Sequence, residues 1–204
     1  MSKNPKSVEH YFSSAPQSNE RFGLVRSRLC GKPFEFLTAS SVFSKRKVDC
    51  GTRLLIESMV LPTTGCILDI GCGYGVVGIS AAKFNPKLHV IMTDVNARAV
   101  RLAKKNLALN LVTNAEVRYG FFYEPVEDLK FNIVLSNPPV SAGMATVKAI
   151  VTGAPKVMAP EASFQMVIRS KIGAKILPAL FTEVFGNCGI VARESGYRVL
   201  MGKL

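Results

Sequence analysis

Two short runs in this 204-residue chain hold residue types that together could carry out group transfer. In the first, the apolar stretch Ile133-Val-Leu-Ser136 ends in Asn137-Pro138-Pro139. Each proline drives the residue before it into extended geometry and lacks an N–H, so Asn137 and Pro138 are expected to present carbonyl groups in a stiff, preset direction. Such an acceptor pair suits an exocyclic amine on a nucleobase, whose lone pair is delocalised into the ring. The Asn137 side-chain oxygen and the Pro138 carbonyl would take its two N–H hydrogens, draw the nitrogen towards tetrahedral geometry and free the lone pair for in-line attack. An amide side chain would be served equally well. Taken alone, the three residues also read as a proline-rich turn.

The second run, Asp69-Ile-Gly71-Cys72-Gly73-Tyr-Gly75-Val-Val-Gly78, is an apolar strand running into a glycine turn and then a helix. Glycine tightens the turn and removes Cβ, so that a ligand can lie against backbone. The stretch contains the dinucleotide pattern G-x-G-x-x-G, but that pattern starts four residues after a carboxylate, Asp69. A carboxylate sits badly beside a pyrophosphate and well near a cation. Asp94 ends the following strand, where a carboxylate can accept hydrogen bonds from both hydroxyls of a ribose. It could equally cap the helix that follows.

These residues need a scaffold that brings strand ends together, and the text from Cys66 onward supplies one. Apolar runs over 66–70, 89–94, 115–119, 131–136, 163–169, 189–193 and 197–201 alternate with helical patterns over 76–84, 97–109, 143–158 and 173–185. The alternation predicts βαβ units in an α/β fold, with a mostly parallel seven-stranded sheet and helices on both faces. No helix fits between the last two strands, so they form an antiparallel pair at a sheet edge. Ahead of this, 34–38 and 41–44 read as short extended pieces and 51–60 as a helix stopped by Pro62. The chain divides into a basic lead, 1–60, packed on a catalytic domain, 61–204.

The glycine run resembles motif I of the class I S-adenosylmethionine-dependent methyltransferases, D-x-G-x-G-x-G. Asn-Pro-Pro resembles motif IV of their amino-methyltransferase branch. With Val42-Phe43-Ser44-Lys-Arg-Lys-Val48-Asp49-Cys-Gly51-Thr52-Arg-Leu54-Leu55 before them, and Phe185-Gly-Asn and Gly196-Tyr-Arg-Val-Leu200 after, the chain is similar to the "methyltransferase small" family over about 34–204. More narrowly, it looks like the small-subunit ribosomal RNA guanine-N2 methyltransferase C type in a short single-domain form. The resemblance implies a Rossmann-like class I fold with an antiparallel last strand and S-adenosylmethionine as cofactor. It implies that Asp69, Gly71, Cys72, Gly73, Gly75, Asp94, Val95 and Asn137 contact that cofactor, with Phe121 or Phe122 packed on its adenine where relatives often place an Asp. It implies catalysis by the loop Asn137, Pro138 and Pro139. Val140 departs from the pattern, since many relatives hold there an aromatic residue that stacks on the target base.

Composition narrows the partner. Lys and Arg number 26 against 14 Asp and Glu, a net charge of +12, which points to a polyanion. Ten of the first sixty residues are Lys or Arg. The lead, with Arg21, Arg26, Arg28, Lys32, Lys45, Arg46, Lys47 and Arg53, is expected to contact RNA backbone, with Phe43 as a lid over cofactor or base; the alternative is a solvated basic face with Phe43 in the core. Phe43, Lys45, Arg46, Val140 and Lys171 are the expected substrate contacts, and Arg169 is a further phosphate candidate. Five cysteines without a C-x-x-C and two distant histidines indicate neither a zinc site nor a disulfide framework. No metal is expected, and the thiols read as reduced, in a cytoplasmic protein. The polar start has no signal-peptide core and no run is long and apolar enough to span a membrane. The expected activity is methylation of an exocyclic amine in RNA, most specifically guanine N2 of small-subunit ribosomal RNA. The alternatives are a protein glutamine amide, tRNA or DNA as acceptor, and a catalytically silent RNA-binding module. A dinucleotide-dependent oxidoreductase explains neither Asp69 nor Asn-Pro-Pro.

Overall fold

A computed structural model describes residues 22–39, 47–138, 143–171, 173 and 176–204. Strands β3 (Gly65–Ile70), β4 (Leu88–Asp94), β5 (Ala115–Tyr119), β6 (Phe131–Ser136), β7 (Met158–Arg169), β8 (Gly189–Glu194) and β9 (Tyr197–Lys203) form one sheet in the order β5-β4-β3-β6-β7-β9-β8. Pairs from β5 to β7 are parallel, whereas β9 runs antiparallel to both β7 and β8. Order reverses beside β3, so β3 and β6 splay their connections apart at their carboxyl ends, where ligands bind open α/β sheets. The helices are α1 (Cys50–Ser58), α2 (Val76–Phe84), α3 (Ala97–Leu109), α4 (Gly143–Gly153) and α5 (Ile176–Phe185).

Strand alternation builds two cores from one sheet. Ile67, Val90, Met92, Ile133, Leu135, Val167 and Val199 face α1, α2 and α3, while Leu68, Ile91, Val134, Ile168 and Leu200 face α4 and α5. Both faces are therefore apolar, and the inner strands read as continuous hydrophobic runs.

The expected strands and helices are present, α1 ending at Ser58 and α5 starting at Ile176 with Gly173 left-handed before it, and with three larger corrections. A strand, β1 (Phe22–Leu29), lies in the lead and pairs with β2 (Lys32–Ala39). Its two-residue turn, Cys30 at φ 44° and Gly31 at φ 77°, has the positive φ pair that matches strand twist. Second, α4 stops at Gly153 and not at Met158. Pro155 cannot continue the helix, a 3-10 turn covers Ala154–Val157, and Met158 opens β7. Third, β7 begins at Met158, five residues before Ser163. Its pairing with β6 jumps from Phe131↔Met158 to Ile133↔Ser163, and the bulged stretch holds Pro160 and Glu161, the latter at φ 61°. The piece expected over 41–44 lies outside the described residues.

Side-chain amides join these pieces. Asn106 of α3 and Asn110, the C-cap of that helix, pair with the backbone of β2: Leu37 N donates to Asn106 Oδ1 (2.7 Å), and Asn106 Nδ2 donates to Leu37 O (3.0 Å). Asn110 does the same with Glu35, at 3.2 and 2.7 Å. Gln165 of β7 clasps both backbone groups of Val60, past the end of α1, at 2.9 and 2.8 Å. Phe34 and Phe36 of β2 are buried in the same core as α1 and α2.

Candidate active site

A cleft of about 900 Å³, its mouth included, opens at the carboxyl ends of β3, β4 and β6. Its floor is the turn after β3. Gly71 N and Cys72 N donate to Thr93 O of the neighbouring strand at 2.9 and 3.0 Å, and Gly75, at φ 93°, starts α2 with no side-chain cap. Gly71 and Gly73 have φ of 71° and 58°, and a Cβ on either would project into open space. These are the positions where backbone lies bare to a ligand. Asn106 Nδ2 also donates to Tyr74 O (2.9 Å), fastening this turn to α3.

Two carboxylates stand beside the turn. Asp69 is 1% exposed, and its Oδ2 accepts from Gly78 N (2.8 Å) on α2. Burial pushes its carboxyl up to about 7, against the partial relief of that bond. Asp94 Oδ2 accepts from Gly73 N (2.8 Å) and its Oδ1 from Asn96 N (2.8 Å). Burial raises Asp94 too, with its backbone donors opposing. Cys72, between them, is pushed well above the usual thiol range by burial and then by both carboxylates. Among the described residues no Lys or Arg pairs with either Asp. Two buried acids without a counter-cation among the described residues fit a ligand that brings positive charge and hydroxyl donors.

The opposite wall comes from β6 and α1. Asn137 and Pro138 line the cleft, and Asn137 Nδ2 donates to Thr52 Oγ1 (2.8 Å). Asp49 caps α1, its Oδ1 accepting from Gly51 N and Thr52 N at 3.0 and 3.1 Å, while its Oδ2 accepts from the Thr52 hydroxyl. Val95, Gly120, Phe122 and Ile150 add to the lining.

The structure thus brings Asp69, Gly71, Cys72, Gly73, Asp94, Val95, Phe122, Asn137 and Pro138 onto one cleft. Gly75 lies behind it, where a Cβ would meet Ile79 at 2.9 Å. Phe121 stays outside, 49% exposed, with its ring 4.1 Å from that of Phe122. Phe122 reaches the cleft with backbone at φ 47°, unusual for an aromatic residue. Lys171 is exposed and away from the lining, and Arg169 lies over the Tyr197 ring at 5.4 Å. Phe43, Lys45, Arg46, Pro139 and Val140 lie outside the described residues. Among the described residues no cluster of three His, Cys, Asp or Glu is arranged for a metal, and no helix is long and apolar enough to cross a membrane. Thr52 and Asp49 entered the sequence reading only as part of the resemblance. Thr52 is 85 positions from Asn137, and only the meeting of α1 with β6 reveals the contact.

Gly78 tests how tightly this wall is built. A Cβ there would lie 2.5 Å from Met92 Sδ and 3.1 Å from Asp69 Oδ2. Gly78→Ala is expected to lower stability by about 1–3 kcal/mol in thermal unfolding, because buried Met92 has nowhere to retreat and α2 must shift.

The strand order, the glycine turn after β3 and the acidic end of β4 define a Rossmann-like methyltransferase fold. The chain belongs to the methyltransferase small domain family, whose model matches residues 33–201. It is 36% identical over 197 residues to the uncharacterized protein YbxB of Bacillus subtilis (strain 168), covering 96% of this chain and 98% of that one. It is 31% identical over 166 residues to ribosomal RNA small subunit methyltransferase C of Photorhabdus laumondii, covering 79% of this chain and 48% of the relative. The chain therefore spans about half the length of the relatives bearing that name. Among solved structures, a 16S rRNA N2 methyltransferase of T. thermophilus, in complex with AdoMet and guanosine, superposes with a TM-score of 0.80. It is 24% identical, covering 93% of this chain and 52% of that one.

Proposed function

We infer that the protein is an S-adenosylmethionine-dependent methyltransferase acting on an exocyclic amino group in RNA, with guanine N2 of small-subunit ribosomal RNA as the acceptor. One observation carries the reading: the buried acids Asp69 and Asp94, the bare glycine turn and the Asn137–Pro138 acceptor pair all line one cleft. When bound, S-adenosylmethionine supplies an electrophilic methyl group on a sulfonium centre. Asp69 faces its positive charge. The free acceptor capacity of Asp94 takes ribose hydroxyls, and Gly71, Cys72 and Gly73 provide a backbone surface with Val95 alongside. Phe122 packs on the adenine, with Phe121 bracing it from outside. Asn137 Oδ1 and the Pro138 carbonyl hold the two N–H groups of the acceptor amine, and these oxygens stabilise the positive charge that develops on its nitrogen. Pro138 holds the backbone of Asn137 extended.

The choice of RNA rests on the names of the relatives and on charge. Arg26, Arg28 and Lys32 are exposed on the β1–β2 hairpin, continuing the basic character of Lys45, Arg46 and Lys47. A cytoplasmic setting goes with this substrate. If three or more phosphates are held this way, RNA affinity should fall at least ~20-fold between 50 and 200 mM salt in a filter-binding titration.

The deciding experiment is transfer of labelled methyl from S-adenosylmethionine into fractionated RNA and protein, followed by nucleoside analysis. Label in N2-methylguanosine of small-subunit RNA is the expected result. Label in protein would move the acceptor to a glutamine amide. Neither transfer nor calorimetric binding of S-adenosylmethionine would leave a silent RNA-binding module.

A further inference from the structure

Asn137 has an amide with two chemically opposite ends, and the proposed chemistry needs one of them. If the oxygen faces the target, the amide accepts a hydrogen from the amine. If the nitrogen faces it, the amide repels that hydrogen and the loop loses half of its acceptor pair. Nothing in the Asn-Pro-Pro run itself decides between the two, because a half-turn of the terminal side-chain bond exchanges them at little steric cost.

The decision comes from helix α1. An aspartate carboxylate accepts and cannot donate. Asp49 Oδ2 therefore receives the hydrogen of the Thr52 hydroxyl, while Asp49 Oδ1 holds Gly51 N and Thr52 N. With its single hydrogen committed, Thr52 Oγ1 has only lone pairs to offer, and it takes a hydrogen from Asn137 Nδ2 at 2.8 Å. The amide nitrogen is thereby held against α1 and Oδ1 is left to the cleft, where no donor among the described residues reaches it. Thr52 is 6% exposed and lines the same cleft, so water competes weakly for its oxygen.

We propose that Asp49 and Thr52 are positioning residues, a one-way hydrogen-bond relay that fixes the polarity of the Asn137 amide and thereby makes it an acceptor for the target amine. The relay rests on the methyltransferase reading for its purpose, but its geometry is testable without it.

Asp49→Asn is the informative variant. Asparagine caps a helix as well as aspartate, so α1 keeps its cap and the melting temperature should stay within about 3 °C of the parent. Yet the new NH2 now donates to Thr52 Oγ1 and frees the hydroxyl hydrogen, which can turn to Asn137 and flip its amide. Transfer to unmodified small-subunit ribosomal RNA made in vitro should fall at least ~10-fold in kcat, with S-adenosylmethionine affinity by calorimetry within about threefold. Thr52→Val, which keeps the shape and removes the hydroxyl, should lose rate similarly, and Thr52→Ser should recover most of it. A purely structural cap predicts instead that Asp49→Asn is silent.

The second readout is the Asn137 side-chain NH2 in an NMR spectrum of the ligand-free protein, assigned by its loss in Asn137→Ala. Its two proton signals should shift, and exchange faster with water, in both Asp49→Asn and Thr52→Val. If parent protein transfers no methyl group, the functional reading fails while these signals still decide the relay. Unchanged Asn137 signals in both variants, or full transfer by Asp49→Asn, would overturn it.

Discussion

Asn137→Ala should lower the rate of methyl transfer by about 10²- to 10³-fold while S-adenosylmethionine affinity changes by no more than about threefold. The asymmetry follows from where the side chain works. Its Nδ2 is committed to Thr52 and its Oδ1 opens on the cleft, so alanine removes an acceptor for the target amine and leaves Asp69, Asp94 and the glycine turn intact. An acceptor used mainly as positive charge grows on the nitrogen contributes to kcat far more than to ground-state binding. Loss of the Thr52 contact should cost only about 1 kcal/mol of stability, because the Thr52 hydroxyl keeps Asp49. Rapid-quench transfer assays with parallel calorimetry separate the two quantities. A variant with parental kcat would remove Asn137 from the chemistry.

The other large effect concerns Asp69 and pH. Burial raises its carboxyl to about 7, so the ligand-free protein holds a proton there at mildly acid pH that the unfolded chain, at 3.8, has already released. Between about pH 4 and 7 the folded state therefore binds more protons than the unfolded state. The contribution of this group to stability consequently falls as pH rises through that window, and levels off above it. Cofactor binding runs the other way. A cationic ligand wants the carboxylate, so affinity should weaken by up to about tenfold for each pH unit below 7 and reach a plateau above. Asp69→Asn keeps an acceptor for Gly78 N and abolishes the ionisation. At pH 8 it should melt on the order of 5 °C higher without ligand, bind S-adenosylmethionine at least ~10-fold more weakly, and lose the acid limb of the affinity profile. Asp94 is raised in the same direction, so the comparison of parent with variant isolates Asp69. Matching affinity profiles in the two proteins would show that Asp69 does not meet the positive charge.

What could be read in advance was what is local. Strand, glycine turn and helix are contiguous in 67–84, and each has its own signal in apolar runs, in glycine and in periodicity. Asn-Pro-Pro is likewise self-contained, since two prolines dictate the backbone before any neighbour does. The β1–β2 hairpin was harder because Cys30-Gly31 is not a common turn pair, and β1 buries only Val25 and Leu29 along its length. The early start of β7 was hidden by Pro160 and Glu161, which look like a loop and are a bulge. The Asp49–Thr52–Asn137 contact had no local signal at all, because it joins a helix cap to a strand end 85 positions away. Phe121 and Phe122 are adjacent and alike, and only the left-handed backbone of Phe122 separates the one that reaches the cleft from the one that does not.

The asparagine pair at the end of α3 has a consequence for how this molecule behaves in a crowd. Four residues of helix rise about 6.0 Å and two residues of strand about 6.6 Å, so Asn106 and Asn110 meet Leu37 and Glu35 nearly in step. They act as a strand that cannot be copied: they use the N–H and C=O groups of β2 without offering a further edge of their own. A second chain seeking to add a strand finds that side of the hairpin closed. On the other edge, β1, Arg53 Nη1 donates to Arg28 O (3.1 Å), and the exposed Arg26 pairs with Glu35 across the hairpin. In a protein rich in apolar strands, the β2 side of this hairpin is thus guarded against self-templating by two amides. Replacing Asn106 and Asn110 by leucine would remove that guard.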